Sequence, residues 1–258
     1  MNHSGFMLDL DGTVYKGGEL IPGAVGFIEA LKDRGIPFVF LTNNSSEPRR
    51  HYVGKLRAMG FDISDENVIT SNIATIRYVS EHRRGSKVYP IASPEVIEEI
   101  AAAGIAVSDD DPDIVYLTFD RTVDYDKINR GYHHILAGAE LIATHPDDLC
   151  PTEDSYDVDI GPFIRLFESL TGCQAAIIGK PNRLMLEMAA EEMGIPCEDA
   201  VMVGDRLYTD MKMAHEAGIA SILVLSGETA LGDLEGTDIK PTHVVASVAD
   251  IPELLSVL

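Results

Sequence analysis

The sequence predicts an α/β fold: a parallel-sheet core with helices between its strands, into which a smaller α/β domain is inserted. Three observations carry that expectation. Short apolar runs alternate with amphipathic helical stretches at both ends of the chain, the pattern of successive β-α-β units. The middle of the chain has short strands and helices of its own. Polar residues break the apolar runs of the two ends at their C-terminal margins, the edge at which an open parallel sheet binds ligands.

The first end gives a strand in FMLDLD (6–11), a helix over 24–34, a strand in FVFLTNN (38–44) and a helix over 49–59. The last end gives AAIIGKPN (175–182), a helix over 184–193, VMVGDR (201–206), a helix over 210–217, SILVLSG (221–227) and HVVAS (243–247). Between them lie KVYPIA (87–92), DIVYLTF (113–119) and AELIATH (139–145), with helices over 95–102, 126–136 and 163–170. The expected division is therefore a discontinuous core, 1–82 and 177–258, and an inserted domain, 83–176.

Composition excludes several classes. At 258 residues and 45% hydrophobic, the chain can bury a sizeable core. Its longest apolar runs fall far short of the roughly 18 residues a membrane helix needs, and its N-terminal run lacks a basic leader and a cleavage site, so a cytoplasmic protein without a membrane partner is expected. The three scattered cysteines, Cys150, Cys173 and Cys197, suit neither a disulfide framework nor a thiolate metal site. A net charge of −22 repels nucleic-acid phosphates, and no basic stretch offsets it. A small anionic substrate remains compatible, because one cation and one lysine can set the local field.

Four breaks at strand ends form the informative set: Asp9-Leu10-Asp11-Gly12-Thr13, Thr42-Asn43-Asn44-Ser45, Lys180-Pro181-Asn182, and Gly204-Asp205 with Asp210 a short turn later. Singly each is weak. The D-x-D pattern recurs at Asp109/Asp111 and Asp157/Asp159 in this acidic chain, and the adjacent acids of 109–113 read as a solvated turn. All four in this order point to one site.

The residue types fit attack on a phosphate monoester. A dianionic ester resists a carboxylate nucleophile unless cations cancel the repulsion. Asp9 is assigned as nucleophile, giving an aspartyl-phosphate, and Asp11 as the group that protonates the leaving alkoxide and then deprotonates water. Asp9 and Asp205 are expected to ligate Mg²⁺, with the Asp11 backbone carbonyl as a further oxygen and Asp210 orienting water around the ion. Lys180 supplies a second positive charge. Gly12, Thr42, Asn43, Asn44 and Asn182 are expected at the phosphate or substrate.

These strings resemble the haloacid dehalogenase superfamily, whose four motifs match DLDGT, Thr42-Asn43, Lys180 and Gly204-Asp205 with Asp210. DLDGTVYKG, FLTNNSS, IIGKPN and VGDRLYTDM are similar to its NagD-like, p-nitrophenylphosphatase-like branch, in which a large α/β cap separates the second and third motifs. The resemblance covers about residues 5–80 and 177–230. It implies a Rossmann-like core, Mg²⁺ and a small phosphorylated metabolite as substrate, such as a nucleotide, sugar or glycolate-type phosphate. Ala143-Thr144-His145-Pro146-Asp147 resembles the cap loop of that branch, with His145 in place of its usual Asn, so His145, Asp147 and Cys150 are candidates for substrate contact. A homodimer through the cap is a compatible assembly. Two rival readings stay open: a phosphotransferase or phosphomutase on the same fold, and a phospho-accepting signalling domain, which the chain length and the insertion disfavour.

Overall fold

A computed structural model describes residues 5–152 and 155–255. In chain order the elements are β1 (Gly5–Asp9), β2 (Tyr15–Lys16), β3 (Glu19–Leu20), α1 (Ala24–Asp33), β4 (Phe38–Thr42), α2 (Arg49–Ala58), β5 (Val68–Thr70), α3 (Ser71–His82) and β6 (Lys87–Ile91). There follow α4 (Pro94–Ala102), β7 (Ala106–Val107), β8 (Ile114–Leu117), α5 (Tyr125–Ala137), β9 (Glu140–Ala143), β10 (Leu149–Pro151), β11 (Tyr156–Val158) and α6 (Gly161–Thr171). The chain closes with β12 (Ala176–Ile177), α7 (Arg183–Met193), β13 (Ala200–Gly204), α8 (Lys212–Ala217), β14 (Ala220–Val224), β15 (His243–Val245) and α9 (Ile251–Leu254).

Two compact units result. The first comprises Met1–Thr42, Val53–Ile69 and Lys180–Leu258, and the second Asn43–Tyr52 and Thr70–Gly179. The first holds a six-stranded sheet of order β15-β14-β13-β1-β4-β5, in which the strands from β15 through β4 pair parallel. Every residue of β1, β4 and β13 is buried, as expected of strands covered on both faces, and this is why they read as unbroken apolar runs. α1 turns Ala24, Phe27, Ile28 and Leu31 inward, one stripe at helical spacing. α7 packs on β1 and β4, and α8 on β14.

The second unit is built on a five-stranded parallel sheet, β12-β9-β8-β6-β7, with the β10–β11 hairpin beside it. Its core gathers Ile91, Val115, Leu117, Leu141 and Phe167. Helix ends follow local chemistry: the Asp124 side chain accepts from Lys127 N–H to start α5, and Gly138, left-handed at φ +113°, stops it.

The second unit reaches beyond the expected 83–176, because polar side chains tie flanking segments into it. Glu99 of α4 accepts from Arg49 N at 2.8 Å and from Asn72 Nδ2 at 2.7 Å. Tyr116 Oη donates to Asn72 Oδ1 at 2.9 Å, and Ser71 Oγ donates to Asn43 O at 2.5 Å. The core strand expected in 175–182 is also corrected. Only Ala176–Ile177 is extended, and it pairs with Ile142 and Ala143 of the second unit's sheet. Gly179 N continues that ladder to Thr144 O at 2.7 Å, and Ile177 packs on the second unit's apolar cluster. The helix expected over 210–217 starts instead with a wider π-helical turn, Leu207–Met211, before α8.

Candidate active site

Parallel pairing brings three strand ends of the first unit to one edge. β1 lies between β13 and β4, with Leu8 opposite Val203 and Asp9 opposite Leu41. Asp9, Thr42 and Asp205 therefore leave the sheet side by side, all three buried. Lys180, three residues past the end of β12 and itself outside any strand, reaches the same place. Its Nζ donates to Asp9 Oδ1, to Asp210 Oδ1 at 2.8 Å and to Leu41 O at 3.4 Å. The π-helical turn carries Asp210 back over β13, where its Oδ2 accepts from Arg206 N at 3.3 Å. Gly204 is required here, since a Cβ would overlap the Asp210 carboxyl.

Packing also fixes Asp205. Its Oδ2 accepts from Glu228 N at 2.7 Å, and a Cβ at Gly12 or Gly227 would overlap that same oxygen. Gly12 adopts φ +88°, a conformation costly for other residues, so it serves both the turn after β1 and the cradle around Asp205. Asp205 Oδ1 is buried with no hydrogen-bond partner among the described residues. Asp9, Asp205 and Asp210 each offer a carboxylate oxygen within 4.8 Å of the others. Hard oxygen donors of this kind, one of them unsatisfied, fit a divalent cation such as Mg²⁺.

Electrostatics agree with that fit. Burial raises the Asp9 pKa well above its ordinary value, and the charges of Asp210 and Asp205 raise it further against the opposing pull of Lys180. Burial, then Asp210, push Asp205 up to about 7. For Lys180, burial works against the charge, but Asp210 and Asp9 outweigh it and its pKa is raised. The ammonium is thus held charged, while burial and mutual repulsion that one lysine does not offset raise Asp9 and Asp205.

Asp11 follows on the turn. Burial raises its pKa, opposed by Lys55, Arg206 and Lys180 and by a hydrogen bond from the Tyr15 hydroxyl. Tyr15, Lys55, Arg206 and Glu228 are not among the residues expected at the site. Lys55 looks like one more charge on an amphipathic helix, and Arg206 pairs with Glu228 at 3.0 Å. Asn182, expected at the substrate, caps α7 by accepting from Leu184 N at 3.0 Å.

The remaining candidates lie in the second unit. Asn43 Nδ2 donates to Asp147 Oδ1 and Oδ2, both at 3.3 Å, and Asn44 Nδ2 points to Cys150 Sγ at 3.5 Å. His145 is fully buried and engaged on both ring nitrogens: Nε2 meets Asp159 Oδ1 at 2.9 Å and Nδ1 meets Thr144 Oγ1 at 3.0 Å. Phe119 N donates to Ser45 Oγ, which in turn lies 2.9 Å from Thr144 Oγ1. A neutral His145 with its proton on Nε2 satisfies this chain from end to end. No spacing rule marks Asp159, fourteen positions away, as its partner.

Comparison with known proteins places this geometry. A family described as haloacid dehalogenase-like hydrolase matches residues 6–106, and one described as HAD-hydrolase-like matches 177–251. Dihydroxyacetone phosphatase of Corynebacterium glutamicum is 34% identical over 248 residues, covering 96% of this chain and 90% of that protein. The crystal structure of 4-nitrophenylphosphatase from Thermotoga maritima superposes with a TM-score of 0.94 at 38% identity, over 98% of each chain. NagD from Escherichia coli K-12 superposes with a TM-score of 0.90 at 29% identity, over 97% of this chain and 99% of that one.

Proposed function

We propose that this chain, which belongs to the haloacid dehalogenase-like hydrolase family and is a phosphoric monoester hydrolase, cleaves small organic phosphate esters with Mg²⁺ by carrying the phosphoryl group on Asp9. The observation that carries the reading is the convergence of Asp9, Lys180, Asp205 and Asp210 at one sheet edge, with an unsatisfied carboxylate oxygen among them.

Asp9, Asp205 and Asp210 would hold the cation, with the Asp11 backbone carbonyl as a further oxygen. Bound there, Mg²⁺ supplies positive charge that offsets repulsion between the Asp9 carboxylate and the anionic ester. An Asp9 oxygen attacks phosphorus and the bond to the alcohol oxygen breaks, the alkoxide taking the proton that Asp11 holds. Water then attacks phosphorus, its proton passes to Asp11, the bond from phosphorus to the Asp9 oxygen breaks, and inorganic phosphate leaves with the Asp9 carboxylate restored. Lys180 holds Asp9 in place and shares the charge that develops on the phosphoryl oxygens, and Thr42 binds one of them. Two of the relatives above carry the names dihydroxyacetone phosphatase and 4-nitrophenylphosphatase, which supports a compact phosphorylated metabolite as substrate. The second unit is proposed to set the choice among such esters.

Phosphate release from a panel of metabolite phosphates and 4-nitrophenyl phosphate, with Mg²⁺ and with chelator, tests this. Release that needs Mg²⁺ but no acceptor alcohol is expected. A single stoichiometric burst would replace the reading with a signalling domain, and phosphoryl transfer to an added sugar without phosphate release would replace it with a transferase.

A further inference from the structure

We infer that the ion pair of Arg206 and Glu228 is a positioning device for Asp205: through the Glu228 backbone it fixes one carboxylate oxygen and leaves the other to the divalent cation. This rests on the reading of Asp205 as a cation ligand given above. The loop after β14 brings the parts together. Glu228 N donates to Asp205 Oδ2 at 2.7 Å and Thr229 N to Asp205 O at 3.3 Å, so two successive backbone groups hold Asp205 by its side chain and by its carbonyl. Gly227 comes before them with no side chain to push that oxygen aside. Ser226 Oγ donates to Gly12 O at 2.7 Å, which ties the same loop to the turn after β1. The remaining oxygen, Asp205 Oδ1, is the buried one without a partner among the described residues.

The side chain of Glu228 closes this arrangement into a ring. Its Oε2 lies 3.0 Å from Arg206 Nε, and its Oε1 accepts from the Tyr208 hydroxyl. Arg206 is one peptide bond from Asp205, and Tyr208 stands in the π-helical turn that also carries Asp210. The circuit therefore runs from the Asp205 carboxylate to the Glu228 amide, on to the Glu228 carboxylate, to Arg206 and back to Asp205. The side chains of Arg206 and Glu228 are 12% and 33% exposed, so the pair is partly shielded from the water that makes open surface pairs weak. A hydrogen bond restrains a carboxylate only as well as its donor is held, and the ion pair holds this donor. Groups that orient metal ligands in this way carry roughly 10- to 100-fold in metal affinity.

Positioning and simple charge predict opposite signs for Arg206. Its charge alone repels a nearby cation, so removing it would tighten Mg²⁺ binding if field were all that mattered, whereas removing Glu228 would weaken it. Calorimetric titration of Mg²⁺ into the chelator-treated full chain reads the affinity without turnover. Arg206→Met and Glu228→Met should each weaken binding by about tenfold or more. The double substitution should match the worse single one, because the two act as a unit. Arg206→Lys should recover part of the loss. Glu228→Gln, which keeps its length and an accepting oxygen, should fall between wild type and Glu228→Met, and it carries the test if circular dichroism shows that the larger cuts unfold the chain. Asp205→Asn is the control and should weaken binding at least as much as any of these. The inference is overturned if Asp205→Asn weakens binding while Arg206→Met leaves it unchanged or tightens it, if Glu228→Gln binds as wild type does, or if the losses at Arg206 and Glu228 multiply; the cation site itself then stands. If Asp205→Asn binds Mg²⁺ as wild type does, the cation reading falls and takes the inference with it.

Discussion

Replacing Asp205 with Asn separates the cost of the site from its use. Asp205 is 2% exposed, and its pKa stands at about 7 against an ordinary 3.8. A carboxyl whose pKa is raised by folding binds protons more tightly in the folded chain, so its contribution to stability is lost as pH climbs between those two values. Fully developed, the cost is about 4 kcal/mol without metal. Asn is nearly isosteric and its Oδ1 can still accept from Glu228 N. Above about pH 8 the metal-free variant should therefore be more stable than the wild type by up to that amount, some 5–15 °C in unfolding midpoint for a chain of this size. Below about pH 4 the gain should vanish, since Asp205 is then protonated in both states. Mg²⁺ should raise the midpoint of the wild type at the higher pH and leave the variant unmoved, because only the wild type keeps the full donor set. Thermal unfolding followed by circular dichroism, with and without Mg²⁺, reads all of this. A variant less stable than wild type at the higher pH, or one that Mg²⁺ stabilises equally, would refute the reasoning.

Other outcomes follow from the same geometry. Lys180→Ala should lower kcat/KM by at least about 10²-fold, as loss of a transition-state charge partner does, and unchanged steady-state kinetics would remove Lys180 from the chemistry. Glu99→Ala should cost about 2–4 kcal/mol in denaturant unfolding, because it strands Arg49 N–H and the Asn72 amide inside the second unit. Asp159→Ala should leave a buried imidazole donor unmatched and lower the unfolding midpoint. Asp159→Asn, which still offers an acceptor to His145 Nε2, should recover most of that loss.

The parallel-sheet core was legible because β1, β4 and β13 are buried on both faces, which writes an unbroken apolar run that ends abruptly in Asp9, Thr42 or Asp205. Lys180 was legible as a site residue and misleading as a strand end. The apolar stretch before it serves the second unit's sheet, and an apolar run does not say which sheet it joins. The reach of the second unit was hidden for a related reason. It is made by Glu99, Asn72, Ser71 and Tyr116, polar side chains whose burial depends on partners far along the chain. Tyr15 stands in the run DLDGTVYKG without being read as a site residue, and Lys55 was missed because its contact with the Tyr15 ring spans forty positions, with no spacing to betray it.

The central claim is that the phosphoryl group rests on Asp9. Rapid acid quench during turnover, borohydride reduction and peptide mass analysis would locate an acyl phosphate as a homoserine in its place. The expected result is homoserine at position 9, absent when Asp9 is replaced by Asn. Homoserine at another aspartate, or none while phosphate is being released, would contradict the account.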